Sequence, residues 1–196
     1  MSVPALRPAK PADAPTDASA DAPADAPAIA ALHTASWLDA YAPHVPGGLP
    51  ADLADRHRAL WDRVLGTDRP ANVLLLAEDA AGLAGFVATH PDPEDPALDY
   101  LAALHVAPSR RGQDIGARLM AAAARALVGR DRLWCHVLVA NAGARRFYAR
   151  LGGSEGPPAD GPILPGVLVP ECRVDLPPMP DLAARAAALI ARRSSP

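Results

Sequence analysis

The residues richest in chemistry lie at 110–116, Arg-Arg-Gly-Gln-Asp-Ile-Gly. Gly112 and Gly116 permit a tight turn, and Arg110 and Arg111 bring positive charge to it. The run that follows, GARLMAAAARAL over 116–127, is made of strong helix formers. A loop that feeds a helix start gathers backbone N–H groups, and the helix dipole favours an anion there. The chemistry this suggests is the holding of phosphate. Asp114 sits in the middle of the loop and carries the opposite sign of charge. A loop for nucleotide hydrolysis would end in Gly-Lys-Ser/Thr, and the sole lysine of the chain is Lys10. Cys135 and Cys172 have neither the number nor the spacing of a disulfide framework or a metal site. They read as reduced core thiols, and no metal is expected.

The elements that must position this loop follow from periodicity. ALDYLAALHVAP (97–108) is a long strand ended by a proline, and RLWCHVLVA (132–140) is a second strand. With the 116–127 helix between them they form a crossover, which implies a parallel pair. NAGARRFYARLG (141–152) is a helix closed by Gly152. Upstream, VLLLAED (73–79) and LAGFVATH (83–90) flank a short turn and predict a hairpin. Two amphipathic helices precede it. One begins at Ile29 and carries Trp37 and Tyr41; the other spans 51–65 with Leu53, Leu60, Trp61, Val64 and Leu65 near one face. VPALRP (3–8) reads as a first strand, GVLVPECRVDL (166–176) as a last one, and LAARAAALIARR (182–193) as a C-terminal helix that need not belong to the core. Residues 12–27, rich in Asp-Ala-Pro, have almost nothing to bury and read as a mobile loop.

Composition bounds the partners. Half of the 196 residues are hydrophobic, which suits one globular domain with a full core. The net charge of −3 and the 4% of aromatic residues give no support for a nucleic-acid partner. No 18-residue apolar run and no apolar signal core is present, so a cytoplasmic protein without a membrane partner is expected.

Two stretches, LHVAPSRRGQDIGARLM and VLVANAGARRFYARLGG, together resemble the GNAT superfamily of acetyl-CoA-dependent N-acetyltransferases. In that family a Leu-x-Val-x-Pro strand leads into a pyrophosphate loop, and a later strand ends in an Asn with a Tyr seven residues on. Leu104, Val106 and Pro108 meet the strand pattern, Arg111 to Gly116 the loop, and Asn141 and Tyr148 the downstream spacing. The strong resemblance covers 97–152. It implies an α/β (α+β) fold: a mixed, largely antiparallel sheet with a central parallel splay and helices on both faces. The domain would span 3–176, followed by a C-terminal helical extension at 177–196.

The resemblance also implies site roles. Acetyl-CoA would be the co-substrate. Its pantetheine arm would pair with the backbone of Leu104, His105 and Val106, and its pyrophosphate would rest on Arg111, Gly112, Gln113, Asp114, Ile115 and Gly116. Asn141 would contact the arm and cap its helix. Tyr148 would protonate the leaving thiolate; read alone it is a core aromatic. His136 stands where some members carry a glutamate as general base, and imidazole can serve because its reference pKa is about 6.5; the plainer reading is a half-buried strand histidine. Tyr100 holds a place where other members have a carboxylate. Trp37 and Tyr41 would line the acceptor side or simply pack the first helix, and the His105 side chain reads as structural. Where the family has glycine, Asp114 would either cap the helix or turn away toward Arg110, Arg111 or Arg118. The expected function is acetyl transfer to a primary amine on a small molecule or peptide. The alternatives are a non-catalytic acyl-CoA-binding or sensor module and a plain structural α/β protein, and a homodimer stays open.

Overall fold

The computed structural model describes residues 3–10, 25–66 and 71–194. The strand-forming and helix-forming runs alternate, and they fold as β1 (Ala5–Pro8), α1 (Ala26–Ala40), α2 (Leu53–Leu65), β2 (Val73–Asp79), β3 (Gly82–Pro91), β4 (Leu98–Val106), α3 (Ile115–Ala126), β5 (Arg132–Leu138), α4 (Ala142–Arg150), β6 (Ser154–Glu155), β7 (Ala159–Leu164), β8 (Val167–Pro178) and α5 (Met179–Ser194). The eight strands form one sheet in the order β1-β2-β3-β4-β5-β8-β6, with β7 also paired to β8. Every pairing is antiparallel except β4 with β5. That is the mixed, largely antiparallel sheet expected.

Apolar residues alternate along the central strands, and each face of the sheet buries its own core. On one face α3, α4 and α5 pack through Leu119, Met120, Tyr148 and Leu182 onto Val87, Leu101, Leu133 and Val174. On the other, α1 and α2 pack through Ile29, Leu32, Trp61 and Val64 onto Leu76, Phe86 and Ala103. The 182–193 helix, which the sequence leaves free to lie outside the core, is part of it: Met179, Leu182 and Ala186 are buried against the sheet and α3. Small residues along α3, among them Ala121 and Ala124, are fully buried and let helix and sheet approach closely.

Of the 12–27 segment, residues up to 24 lie outside the described residues, and Asp25, Ala26 and Pro27 open α1. Asp25 is buried there, and its carboxylate accepts two bonds from Arg7 at 2.8 and 2.7 Å and one from the Lys10 N–H at 2.7 Å. Charge-assisted bonds of this kind tie β1 to the start of α1. β6 and β7 were not expected from the sequence. Their stretch, GGSEGPPADGPILP, is rich in glycine and proline, and proline is tolerated here because both strands lie on the outer side of β8.

Candidate active site

The central strands separate just where a ligand could enter. β4 and β5 pair only at Leu98–Arg132, Asp99–Leu133 and Tyr100–Trp134. Past Tyr100 the register of β4 against β3 shifts: Thr89 faces Leu101 while Ala88 faces Ala103, so Ala102 is the extra residue of a bulge. A bulge bends its strand, and here the bend coincides with the parting of β4 from β5. The backbone of Leu104–Val106 therefore has β3 on one side and no paired strand on the other. A cleft of about 690 Å³ occupies the gap.

The glycine loop closes one end of this cleft. Gly112 takes φ +77°, a left-handed value that favours glycine. Asp114 takes φ +59° and is the sole non-glycine with positive φ among the described residues. Asp and Asn enter that region more readily than other residues with a Cβ, which accounts for an aspartate at this turn. Asp114 occupies the N-cap position of α3, yet its side chain makes no capping bond. Of the two outcomes open for Asp114, capping or turning away, a capping bond is not the one observed. The first N–H groups of a helix have no partner within it, and the Asp114 side chain makes no capping bond to them.

The loop arginines divide their work. Arg110 bonds Asp79 at 2.6 Å and the Gln113 side chain at 3.1 Å, which fastens the loop to the β2–β3 hairpin. Arg118 donates to the Pro4 carbonyl at 2.7 Å. Arg111 pairs with Asp39 near the end of α1, and both side chains are nearly half exposed. An exposed pair of this kind contributes about 0–1 kcal/mol, so a ligand phosphate can displace Asp39. Arg150 from α4 and Arg192 from α5 also line the cleft. Sequence reasoning missed both, since nothing in the sequence brings α5 to this site.

Asn141 caps α4 as expected, its side-chain oxygen accepting from the Ala144 N–H at 3.0 Å. The cap directs α4 so that Phe147 lies beside Gly116 and Tyr148 turns into the cleft floor. Tyr148 influences Cys135 on β5, which lies immediately past the point where the strands part. Burial, with Cys135 and Tyr41 adding to it, pushes the Tyr148 phenol well above its ordinary value. Burial also pushes the Cys135 thiol up to about 12 and the Tyr100 phenol up to about 12. All three groups are therefore protonated at neutral pH.

The remaining expected residues separate into those the cleft uses and those behind it. Leu104, His105, Val106, Arg111, Gly112, Asp114, Ile115, Gly116, His136, Asn141, Tyr41 and Tyr148 all line the cleft. Gln113 turns its side chain to Arg110. Tyr100 packs on Trp134 with ring centroids 4.7 Å apart. Trp37 sits behind Tyr41, edge to face at 5.1 Å, and also meets His57. His136 is 40% exposed at its side chain, with Nδ1 3.4 Å from Glu171 Oε1.

A cluster that the sequence did not reveal lies under the His105 wall. His33 of α1 stacks on His57 of α2 at 3.8 Å and lies 4.6 Å from His105 of β4. Trp61 donates Nε1–H to His33 Nδ1 at 3.0 Å, and Thr34 Oγ1 lies 2.9 Å from His57 Nδ1. Burial lowers His33 to about 2 and His105 to about 3, and it lowers His57 as well. These are neutral packing groups. Among the described residues no group of three or more His, Cys, Asp or Glu could hold a metal ion, and no helix is long and apolar enough to cross a membrane.

The fold has counterparts among known proteins. Residues 30–153 match the model of the Acetyltransferase (GNAT) family. No curated protein matches the sequence. Among solved structures, the ribosomal-protein-alanine N-acetyltransferase of Brucella melitensis superposes with a TM-score of 0.56 at 20% identity, over 88% of this chain and 99% of that one. A Salmonella typhimurium protein assigned as an acetyltransferase, solved with its cofactor acetyl-CoA, gives a TM-score of 0.61 at 15% identity over 90% of this chain and 94% of that one. Diaminobutyrate acetyltransferase of Paenibacillus lautus, solved with L-2,4-diaminobutyric acid and coenzyme A, gives 0.56 at 16% identity over 89% and 95%. At these identities the structural likeness shows the fold, while the family match covers well over half of the chain. The chain belongs to the GNAT family of acetyltransferases, whose fold serves acetyl transfer from acetyl-CoA.

Proposed function

We propose that the chain transfers an acetyl group from acetyl-CoA directly to a primary amine of a small molecule or peptide. The observation that carries this reading is one cleft, opening where β4 and β5 stop pairing, that is lined both by Tyr148 and by the glycine loop at the start of α3. The pyrophosphate of the coenzyme fits the N–H groups at the start of α3, with Arg111 as the movable cation. Arg150 and Arg192 add positive charge for its remaining phosphate. The unpaired backbone of Leu104–Val106 suits the amides of the pantetheine arm.

The chemistry can be followed proton by proton. The acceptor arrives as an ammonium and gives one proton to the His136 imidazole, which passes it to solvent. The freed nitrogen lone pair attacks the thioester carbonyl, so an N–C bond forms and the C–S bond breaks. The departing thiolate takes the phenolic proton of Tyr148. The extra proton on the new amide nitrogen returns through water to the phenolate. A covalent acetyl-cysteine route finds no support, because the buried Cys135 thiol is held in its protonated form.

The test is a two-step measurement. Calorimetric titration with acetyl-CoA should show binding in the parent and clearly weaker binding in Arg111→Glu. Thiol release measured across a panel of primary amines should then show acceptor-dependent turnover that falls in Tyr148→Phe. Equal affinity in Arg111→Glu removes the loop from the donor site. Binding without turnover on any amine would favour the non-catalytic acyl-CoA-binding alternative.

A further inference from the structure

His136 and Glu171 lie diagonally across the β5–β8 ladder, where His136 pairs with Arg173 and Leu138 with Glu171. Alternation along each strand puts both side chains on the same face. His136 Nδ1 and Glu171 Oε1 are 3.4 Å apart, which is ion-pair range and longer than the 2.9 Å or so of a good N–H···O bond. Catalytic hydrogen bonds often reach their full length and alignment only with the reactants in place. The carboxylate is the more sheltered of the two, with 16% of its side chain exposed against 40% for His136.

What shelters it is an absence on the neighbouring strand. Glu171 folds over β7 at Gly161, where a Cβ would fall 2.0 Å from Oε1 and 2.2 Å from Cδ. No side chain can occupy that position while the carboxylate stays where it is. Gly161 has a negative or extended φ and needs no glycine on backbone grounds, so the slot is a matter of space for Glu171. The ring of His136 is meanwhile held edge to face by Trp134 at 5.1 Å and by Tyr100 at 6.3 Å. The other charged neighbours are engaged elsewhere: Arg173 lies over the Trp134 ring at 4.2 Å and bonds Asp175 at 2.8 Å.

We propose that Glu171, seated on the bare backbone of Gly161, is a positioning residue that holds His136 with Nδ1–H toward its carboxylate and the Nε2 lone pair toward the acceptor amine. This rests on the reading of His136 as the group that deprotonates the acceptor. A histidine nitrogen donates or accepts according to what the other nitrogen does. A carboxylate accepts only, so it fixes the proton on Nδ1 and leaves Nε2 as the base. The carboxylate also balances the positive charge that the imidazole acquires when it takes the ammonium proton.

The test uses nitrogen-15 NMR of histidine-labelled full-length protein, without coenzyme or acceptor, at a pH where the ring is neutral. The parent should show His136 as the Nδ1–H tautomer. Glu171→Ala and Gly161→Ala should both lose that signature and shift to the Nε2–H form that a free histidine side chain prefers in water. Glu171→Gln, which keeps an accepting oxygen, should retain it. If Gly161→Ala fails to fold, Glu171→Ala, which only removes atoms from a partly exposed side chain, still decides. An Nε2–H tautomer in the parent, or an unchanged Nδ1–H tautomer in Glu171→Ala, overturns the proposal. Because no amine or coenzyme enters the measurement, a failure of the acetyl-transfer reading, seen as absent acetyl-CoA binding, remains separate from it.

Discussion

Replacing Asp114 by glycine should tighten acetyl-CoA binding several-fold without a large change in stability. The backbone at 114 is left-handed, with φ +59°. An ordinary side chain pays about 1–2 kcal/mol there, aspartate less, and glycine nothing. Glycine in turn loses about 0.5–1 kcal/mol through the greater freedom of the unfolded chain, so the folded state gains little either way. Binding is different, because Asp114 lines the cleft that the pyrophosphate is proposed to fill. Unit charges 4 Å apart in bulk water repel by about 1 kcal/mol. At roughly twice that separation, with some protein in the path, the repulsion is about 0.5–1 kcal/mol, or two- to five-fold in Kd. Asp114→Asn isolates the charge, since asparagine also tolerates the left-handed region. Asp114→Ala removes the charge but adds strain, and should lower stability by about 1 kcal/mol. Titration calorimetry at about 0.01 and 0.1 M salt should show a larger gain at low salt, where the Debye length grows from about 10 to 30 Å. If neither Asp114→Gly nor Asp114→Asn binds better than the parent at either ionic strength, the carboxylate does not oppose the coenzyme and the reasoning fails.

Other outcomes follow from the same geometry. Tyr148→Phe should reduce kcat far more than it changes acetyl-CoA affinity, because protonation of the leaving thiolate belongs to the transition state; an equal loss in both would make Tyr148 a packing residue. The histidine cluster should make the fold acid-labile. His33 and His105 stay neutral in the native state down to about 2 and 3, while unfolded histidine titrates near 6.5, so the unfolded state binds more protons below that pH. Stability is then full above pH 6.5 and falls as pH drops toward 3, each of the two costing about 1.4 kcal/mol by pH 5.5. Urea unfolding at pH 7.5 and 5.5 should show this loss, and it should shrink in His33→Phe; a pH-independent midpoint would contradict the burial of these rings.

Much of the donor half was legible because its signals are local. The apolar run of 73–77 followed by a turn gives β2 with the bounds observed, and Asn141 followed by Tyr148 places a cap and a phenol on one short helix. The glycine loop announces a helix start, and α3 begins at Ile115. What stayed hidden depends on residues far apart in sequence. The Ala102 bulge that coincides with the strand separation shows only in the pairing of β4 with β3. Glu171 meets His136 only after β8 pairs with β5, and Gly161 matters only because β7 lies on the far side. Arg192 reaches the cleft because α5 packs on α3, a tertiary choice that helix periodicity does not record. His105 read as structural from alternation, and its ring does pack against His33 and Phe86, yet the residue also forms cleft wall.

The central claim is that acetyl-CoA occupies the gap between β4 and β5 with its pyrophosphate at the start of α3. Backbone amide shifts followed during titration of the labelled protein with acetyl-CoA test it directly. The account predicts saturable shifts concentrated at 104–106, at 111–117 and around Tyr148, which weaken together in Arg111→Glu. Saturable binding that leaves those amides unmoved and shifts another face of the sheet would contradict it.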